Sequence, residues 1–425
     1  MARAQRMRLN SYNMLDDLPS HILVDIFKRL PCESIYCIRC VSKALLKTVD
    51  DISFLALHTR FLTATKAVAQ VPQLMSFAAP VHPRSGHGVI AELQPVKFDG
   101  GSALITRGEY AINVSTSYIN HHPTFVIDFV FCNLFFFRSA PDYFLIDPLR
   151  GEVLRLPKTK DAIRGVPVFG MGFDSITNTI KILNFAYNST TDKMRAQVLV
   201  LGKNSWREIP SSPPCYLSGS FPPKNACAYG DMHWLVNMPS SIRGKSACSI
   251  MSFDFKREEF CLTHPILQSS NEHSRSSFNL HLLTLRGSLA LVDTSLSKGT
   301  TTKIEIWLMN DYEKKQWTCD YSLNIDMLDF RMELGLFTKV TCGVWEHGIF
   351  FQNFDVVPAF FLDLRCDSNS VNIMRCTSGR NTKIVSCTGG LIRLKNYQSL
   401  VDTEQGSRST HESYFNFYPK KVIAI

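Results

Sequence analysis

From about residue 100 onward the chain is a series of short apolar strands between turn residues, and the turns keep a period. Tyr143–Ile146, Ile180–Leu183, Gln197–Leu201 and Lys303–Trp307 read as strands bounded by Asp, Asn or Gly. Turn starts at Asp147, Gly202, Asp254, Asp311 and Asp363 recur at intervals of 52 to 57 residues. A second series of hairpin turns runs between them, near Asn133, Asn178, Gly230, Gly287, Gly348 and Gly390. Long helical periodicity is missing, so the region reads as all-β. A period in the low fifties with four strands per unit is the length of a propeller blade, close to that of kelch repeats. Counting the Asn133 pair as the first blade and the Gly390 hairpin as part of the last gives about six blades. Five or seven stay open, because the strands after Asp363 are less regular.

Ahead of this region the pattern is helical. In Leu15–Pro31, Asp17 suits an N-cap and Pro19 the first helical turn, where a missing N–H costs nothing. Pro31 stops the helix. Leu18, Ile22, Ile26 and Leu30 form one apolar stripe at four-residue spacing, and Leu23 and Phe27 form a second beside it. A short helix packing only on its own domain needs one stripe. The second implies cover from another polypeptide, and the spacing does not say which stripe faces outward. Ile35, Ile38 and Val41, then Leu45, Leu46 and Val49, then Ile52, Phe54, Leu55 and Leu57 extend the pattern into a module of 15–60. That size is marginal for an independent core. The expected layout is a flexible N-terminus at 1–14, the helical module at 15–60, a helix and linker at 61–101, the β-domain at 102–400 and a tail at 401–425 able to supply a closing strand. Prolines and glycines between Pro80 and Gly101 motivate the linker.

Composition narrows the function classes. Hydrophobic residues at 45% and aromatics at 11% describe a globular chain. The net charge of +9 is dispersed, without a run of five Lys/Arg, which disfavours nucleic acid as a partner. The thirteen cysteines form no regular framework and no secretory leader follows Met1, so a reducing compartment, cytoplasm or nucleus, is expected. The longest apolar run, Phe125–Phe137, is interrupted by Asp128 and Asn133 and is too short to span a membrane as a helix.

Chemistry-bearing motifs all have plain structural readings. Cys37-Ile38-Arg39-Cys40 lies within a helix, away from a redox or zinc context, and reads as packing. His233-Trp234 reads as a blade-core Trp with a His at the turn edge. His121-His122 on a strand would point to opposite faces. Gly170-Met171-Gly172 lacks the third glycine of a dinucleotide fingerprint and precedes no helix. Phe131, Phe135, Phe136 and Phe137 read as core of the first blade. Catalytic, cofactor and metal residues are therefore not assigned.

Residues 15–60 resemble the F-box. The matching residues are Leu18-Pro19, Ile22-Leu23, Ile26, Leu30-Pro31, Ser34-Ile35 and Arg39-Cys40-Val41-Ser42-Lys43, then Ile52, Phe54 and Leu57. Ala44 departs from the pattern, standing where the family places a Trp. Residues 130–320 resemble the plant F-box-associated domain, through Asp147-Pro148-Leu149-Arg150-Gly151-Glu152, Gly172-Phe173-Asp174-Ser175, Ser205-Trp206-Arg207, Gly230-Asp231-Met232-His233-Trp234-Leu235 and Ile304–Met309 with Trp317. The resemblance implies a non-catalytic substrate receptor of a Skp-cullin-F-box ubiquitin ligase. Its F-box would dock on a Skp-type adaptor, and through it a cullin, while the β-domain would hold an unidentified target protein. Leu18, Pro19, Ile22, Leu23, Ile26, Leu30, Pro31 and Val41 are the residues expected to contact the adaptor or directly support that contact. Segments 184–196, 210–225, 238–247 and 264–279 are candidate target-binding loops. The alternative is a propeller that binds or hydrolyses a small molecule or glycan, with the helices as packing.

Overall fold

A computed structural model describes residues 18–64, 71–78, 89–99, 102–105, 110–114, 126–139, 142–148, 150–159, 167–188, 193–215, 224–238, 247–263, 280–294, 301–326, 340–353, 359–365, 373–376, 382–397 and 415–419. The expected flexible N-terminus, Asp17 and the His121-His122 pair lie outside these residues. Four helices come first: α1 (Ser20–Phe27), α2 (Cys32–Ile38), α3 (Lys43–Val49) and α4 (Ile52–Ala64). Two details differ from expectation. Pro19 is itself the N-cap of α1, and α1 ends at Phe27, so Pro31 opens α2 as its N-cap and does not close α1. The fixed proline φ suits both positions. Ser42 caps α3 by accepting a hydrogen bond from the Leu45 amide at 3.2 Å, and Asp51 receives the Ser53 amide at 2.8 Å at the start of α4.

The stretch expected as a linker belongs to the β-domain. β1 (Gln73–Ala78), β2 (Val89–Asp99), β3 (Ser102–Ile105) and β4 (Tyr110–Val114) are strands of one sheet. Five four-stranded antiparallel sheets then follow in sequence. The first is β5 (Val126–Phe131), β6 (Leu134–Ser139), β7 (Asp142–Asp147) and β8 (Glu152–Arg155). The second is β9 (Val168–Asp174), β10 (Thr179–Asn188), β11 (Lys193–Val200) and β12 (Arg207–Glu208). The third is β13 (Asn225–Ala228), β14 (Asp231–Met238), β15 (Ala247–Asp254) and β16 (Glu259–Thr263). The fourth is β17 (Leu280–Leu285), β18 (Ser288–Asp293), β19 (Thr301–Asp311) and β20 (Gln316–Asp326). The fifth is β21 (Val340–Trp345), β22 (Gly348–Asn353), β23 (Ala359–Asp363) and β24 (Ile373–Cys376). Last come β25 (Thr382–Cys387) and β26 (Phe415–Pro419).

The sixth blade is composite. β25 pairs with β1 in register from Gln73–Cys387 to Ala78–Thr382, and the sheet continues through β2 and β4 to β26 at its edge. The inner strands β5, β9, β13, β17, β21 and β25 head successive sheets; β21 touches β25, and β25 touches β5, so the ring closes. The tail strand β26 therefore adds an outer edge, while closure falls to β25 with strands from the opposite end of the chain. Six blades match the expected count, but the Gly390 hairpin does not exist. Residues 388–394 lie outside any strand.

Side chains fill the spaces between neighbouring blades. Phe136, Phe169, Trp206, Trp234, Phe253 and Phe255 share one core spanning the first three blades. Phe131, Phe135, Phe136 and Phe137 are all buried, as expected. The two glycines of Gly170-Met171-Gly172 are there for closeness: a Cβ on Gly170 would lie 2.6 Å from the Trp234 ring, and one on Gly172 would overlap the Phe255 ring. Polar ties also cross between blades. The Lys181 ammonium reaches Asp174 at 2.8 Å and, on the third blade, Glu258 at 2.7 Å. The Tyr312 hydroxyl donates to Asp231 at 2.9 Å. Gln352 receives the Ile384 amide at 2.7 Å.

Asp231 supplies a pH test. Burial, and then the nearby Asp254 charge, push its carboxyl up to about 6 from the usual 3.8, against the Tyr312 hydroxyl bond. Its ionised form is thus penalised in the fold at pH 7, and the penalty disappears as pH falls through 6 toward 4. Unfolding of the wild type and Asp231→Asn, followed from pH 7 to 4, is expected to shift their difference by roughly 2–3 kcal/mol in favour of the wild type. A difference independent of pH refutes the assignment.

Alternating strand directions sort the connections by end. The first-to-second and third-to-fourth strand connections of the five four-stranded blades, including the turns at Asn133, Asp147, Asn178, Gly230 and Asp254, share one end of the ring. The strand ends that lead into the remaining connections share the opposite end. The N-terminal helices sit at the tight-turn end, where Tyr36 meets Gly390 and Arg150.

Candidate partner-docking face

The two apolar stripes of α1 go to different fates. Leu23 and Phe27 are 6% and 2% exposed, packed with Cys32, Ile35, Leu45, Val49, Phe54 and Leu55. Leu18, Ile22 and Ile26 are 37%, 40% and 44% exposed. The core takes one stripe, and the other forms an outward apolar row along α1. Val41, at the turn before α3, is 56% exposed. Pro19 and Pro31 are exposed at helix starts, and Leu30 is half-buried against the core. Of the eight residues singled out in the sequence, Leu18, Pro19, Ile22, Ile26, Pro31 and Val41 are available to a partner. Leu23 lies in the helical core and Leu30 packs against it.

Two expectations within the module change. Cys37 and Cys40 are both exposed and do not pack. Ala44 is exposed on α3, and the core contacts of that helix come from Leu45 and Val49. His233 also differs from its expected place at a turn edge. It is fully buried within β14, with Nδ1 2.7 Å from the Ser252 hydroxyl and Nε2 3.2 Å from the Ala228 carbonyl. Burial depresses its pKa to about 4, so it is a neutral structural histidine.

The helical module is fixed to the ring by contacts that the sequence pattern did not predict. Arg150, in the turn after β7, donates to Asp147 at 2.5 Å, to the carbonyls of Ile392 and Gly390 at 3.2 and 3.1 Å, and to the Tyr36 hydroxyl. Its guanidinium lies 5.1 Å from the Tyr36 ring centre. The Tyr36 hydroxyl donates to the Gly390 carbonyl at 2.8 Å. Asn133 donates to Asp147 at 2.7 Å and to Ile392 at 3.2 Å, and Glu152 receives the Leu394 amide at 2.7 Å. Arg393 bridges Asp50 of the module and Glu152 of the first blade at 3.6 and 3.7 Å. Burial raises the Tyr36 hydroxyl pKa above its ordinary value, so it stays a donor. Only the Asp147-Pro148-Leu149-Arg150 phrase carried a signal for this contact. The segment at 388–397 carried none, because its partners on the ring and the helices are 240 or more residues away in sequence.

Among the suggested target loops, 184–188 and 193–196 are arms of the β10–β11 hairpin, not loop. Residues 210–215 run irregularly beside the second blade; 216–223, 239–246 and 264–279 lie outside the described residues. Among the described residues no helix is long and apolar enough to cross a membrane, and no group of three or more His, Cys, Asp or Glu is arranged for a metal.

Fold and face together define a two-part binding protein: a six-bladed ring joined to a small helical module with an unsatisfied apolar row. The family described as F-box domain matches residues 15–57, and the family described as F-box associated beta propeller domain matches residues 104–361. The chain belongs to the F-box proteins that carry an F-box-associated β-propeller. It is 24% identical over 313 residues to F-box protein At1g47340 of Arabidopsis thaliana, covering 71% of this chain and 62% of that relative, less than two thirds of the relative's length. It is 24% identical to F-box protein At3g57590 of the same plant, over 77% of this chain and 80% of the relative. Among solved structures, a GH43 β-xylosidase/α-arabinofuranosidase from a compost microbial metagenome aligns at 12% identity over 76% of this chain and 93% of that one, with a TM-score of 0.27, too low to carry an argument.

Proposed function

We propose that this chain is the substrate-recognition subunit of a Skp-cullin-F-box ubiquitin ligase, working in the cytoplasm or nucleus. The exposed row of Leu18, just ahead of α1, with Ile22 and Ile26 on it, beside a stripe of that helix that is already buried, is the observation that carries the reading. A row of apolar side chains on a helix is what a groove on a partner recognises. Skp-type adaptor binding would cover it and connect the chain to a cullin. The ring's opposite end, where the connections between second and third strands and between blades emerge, would hold the target. Catalysis would come from proximity: the receptor holds target and charged enzyme together and removes a large entropic barrier without itself touching the reacting bond.

The glycan-hydrolase alternative needs convergent acidic groups in the channel. Asp128 of inner strand β5 is paired with Arg138 at 2.9 Å, which speaks against a free carboxylate at that position. The test is co-elution of the full-length chain with recombinant Skp-type adaptor of Arabidopsis thaliana, followed by mass spectrometry of proteins captured by that complex when ligase activity is blocked. A one-to-one complex supports the proposal. A chain that stays monomeric beside excess adaptor refutes it.

A further inference from the structure

We infer that residues Gly390–Lys395 are a structural part of the docking module, so that the module is complete only when the ring is closed. The inference rests on the adaptor-docking reading for its biological use, and on the contacts themselves for its physics.

Leu391 is 3% exposed and lies in the same core as Leu23, Phe27, Ile35, Leu45, Val49 and Phe54. The helices alone do not supply that side chain. It arrives soon after β25, the strand that closes the ring by pairing with β1 and by donating its Ile384 amide to the Gln352 side-chain oxygen. β1 in turn is the next element after α4, starting nine positions beyond its last residue. Ring closure and completion of the helical core therefore draw on the same stretch of chain. Polar contacts fasten it on both sides. Tyr36 and Arg150 hold the Gly390 carbonyl, Asn133 and Arg150 hold that of Ile392, and Glu152 holds the Leu394 amide.

Gly390 gives the contact its specificity. A Cβ there would overlap the Asn133 side-chain oxygen, at 2.9 Å from its Cγ and 3.0 Å from the Cys132 Cβ. Asn133 cannot step aside cheaply, because its amide is committed to Asp147 and Ile392. A methyl group at 390 must lift the segment off the ring. Tyr36, Arg150 and Leu391 are thus positioning residues: they act on a partner through the shape of α1–α3. A truncated or unclosed ring would carry helices that do not dock, so that only finished receptors enter the ligase.

The experiment compares full-length wild type, Gly390→Ala and Leu391→Ala by amide hydrogen exchange and by affinity for the recombinant adaptor. Amides of residues 20–49 are expected to exchange at least tenfold faster in both variants, amides of β9–β20 to stay within twofold of wild type, and adaptor affinity to fall at least tenfold. Helix amides as protected as in wild type, with unchanged affinity, overturn the inference. If Gly390→Ala loosens the ring as well, Leu391→Ala, whose altered side chain lies in the helical core, decides by the same criteria. A wild-type chain that ignores the adaptor sinks the proposed function, while the exchange data still decide whether the segment completes the module.

Discussion

Replacing Ile22 and Ile26 together by arginine is expected to abolish adaptor docking and leave the fold intact. Both side chains are close to half exposed, and neither belongs to the helical core. Surface changes of this kind move stability by roughly 0.5 kcal/mol or less. An interface anchor is worth about 2–4 kcal/mol, so losing two removes binding by a factor on the order of a thousand or more. Arginine adds a charge that the covered face would have to desolvate. The contrasting variant is Leu23→Ala on the buried stripe. It should cost about 2–5 kcal/mol of stability in a module of few core residues, with docking lost through unfolding. Calorimetric titration with the adaptor and thermal unfolding separate the two. Retained micromolar or tighter binding by the double variant would mean that the outward stripe is not the interface.

Lys181→Met is expected to be the most destabilising single change among the ring's polar contacts, by about 3 kcal/mol. The Lys181 ammonium is 8% exposed, lies within 2.8 Å of Asp174 and 2.7 Å of Glu258, and donates to the Phe255 carbonyl at 3.0 Å. Burial opposes its charge, but the two carboxylates outweigh burial and raise its pKa; both carboxylates are correspondingly lowered. Removing one partner of a buried pair leaves uncompensated charge and typically costs 3–5 kcal/mol. The lower end applies because Asp174 keeps bonds from the Ile176 and Thr177 amides and the Thr177 hydroxyl, and Glu258 keeps Arg207. A double variant that also replaces Asp174 by Asn should recover part of the loss. Urea unfolding of the single variant within 1 kcal/mol of wild type would show that the triad is not a stabilising tie between the second and third blades.

Local pattern was enough for much of this architecture. Strand–turn spacing defines the repeating blade because each hairpin writes its own period into nearby residues, but it left five, six or seven blades open. The helical module shows through for a similar reason: α1 to α4 are short-range structures with proline and serine caps at Pro19, Pro31 and Ser42. That α1 carries one stripe too many is a fact of spacing alone.

Long-range pairing decided the rest. Which stripe of α1 turns outward depends on where α3 and α4 pack, since Leu23 and Phe27 are not more apolar than Ile22 and Ile26. The stretch read as a linker became β1 and β2, because an open sixth blade presents an unpaired edge at β25, and pairing those backbone groups outweighs local Pro and Gly content. Gly390, apparently a hairpin turn, is a contact point beneath the ring, required by the space beside Asn133. The sequence by itself determined the four-stranded blade repeat and the existence of the N-terminal helices, through interactions a few residues apart. Only the tertiary structure decided how the ring closes and how the helical module is held to it, because the contacts of the 390–394 segment with Tyr36, Arg150 and Glu152 span 240 residues or more and leave no periodic trace.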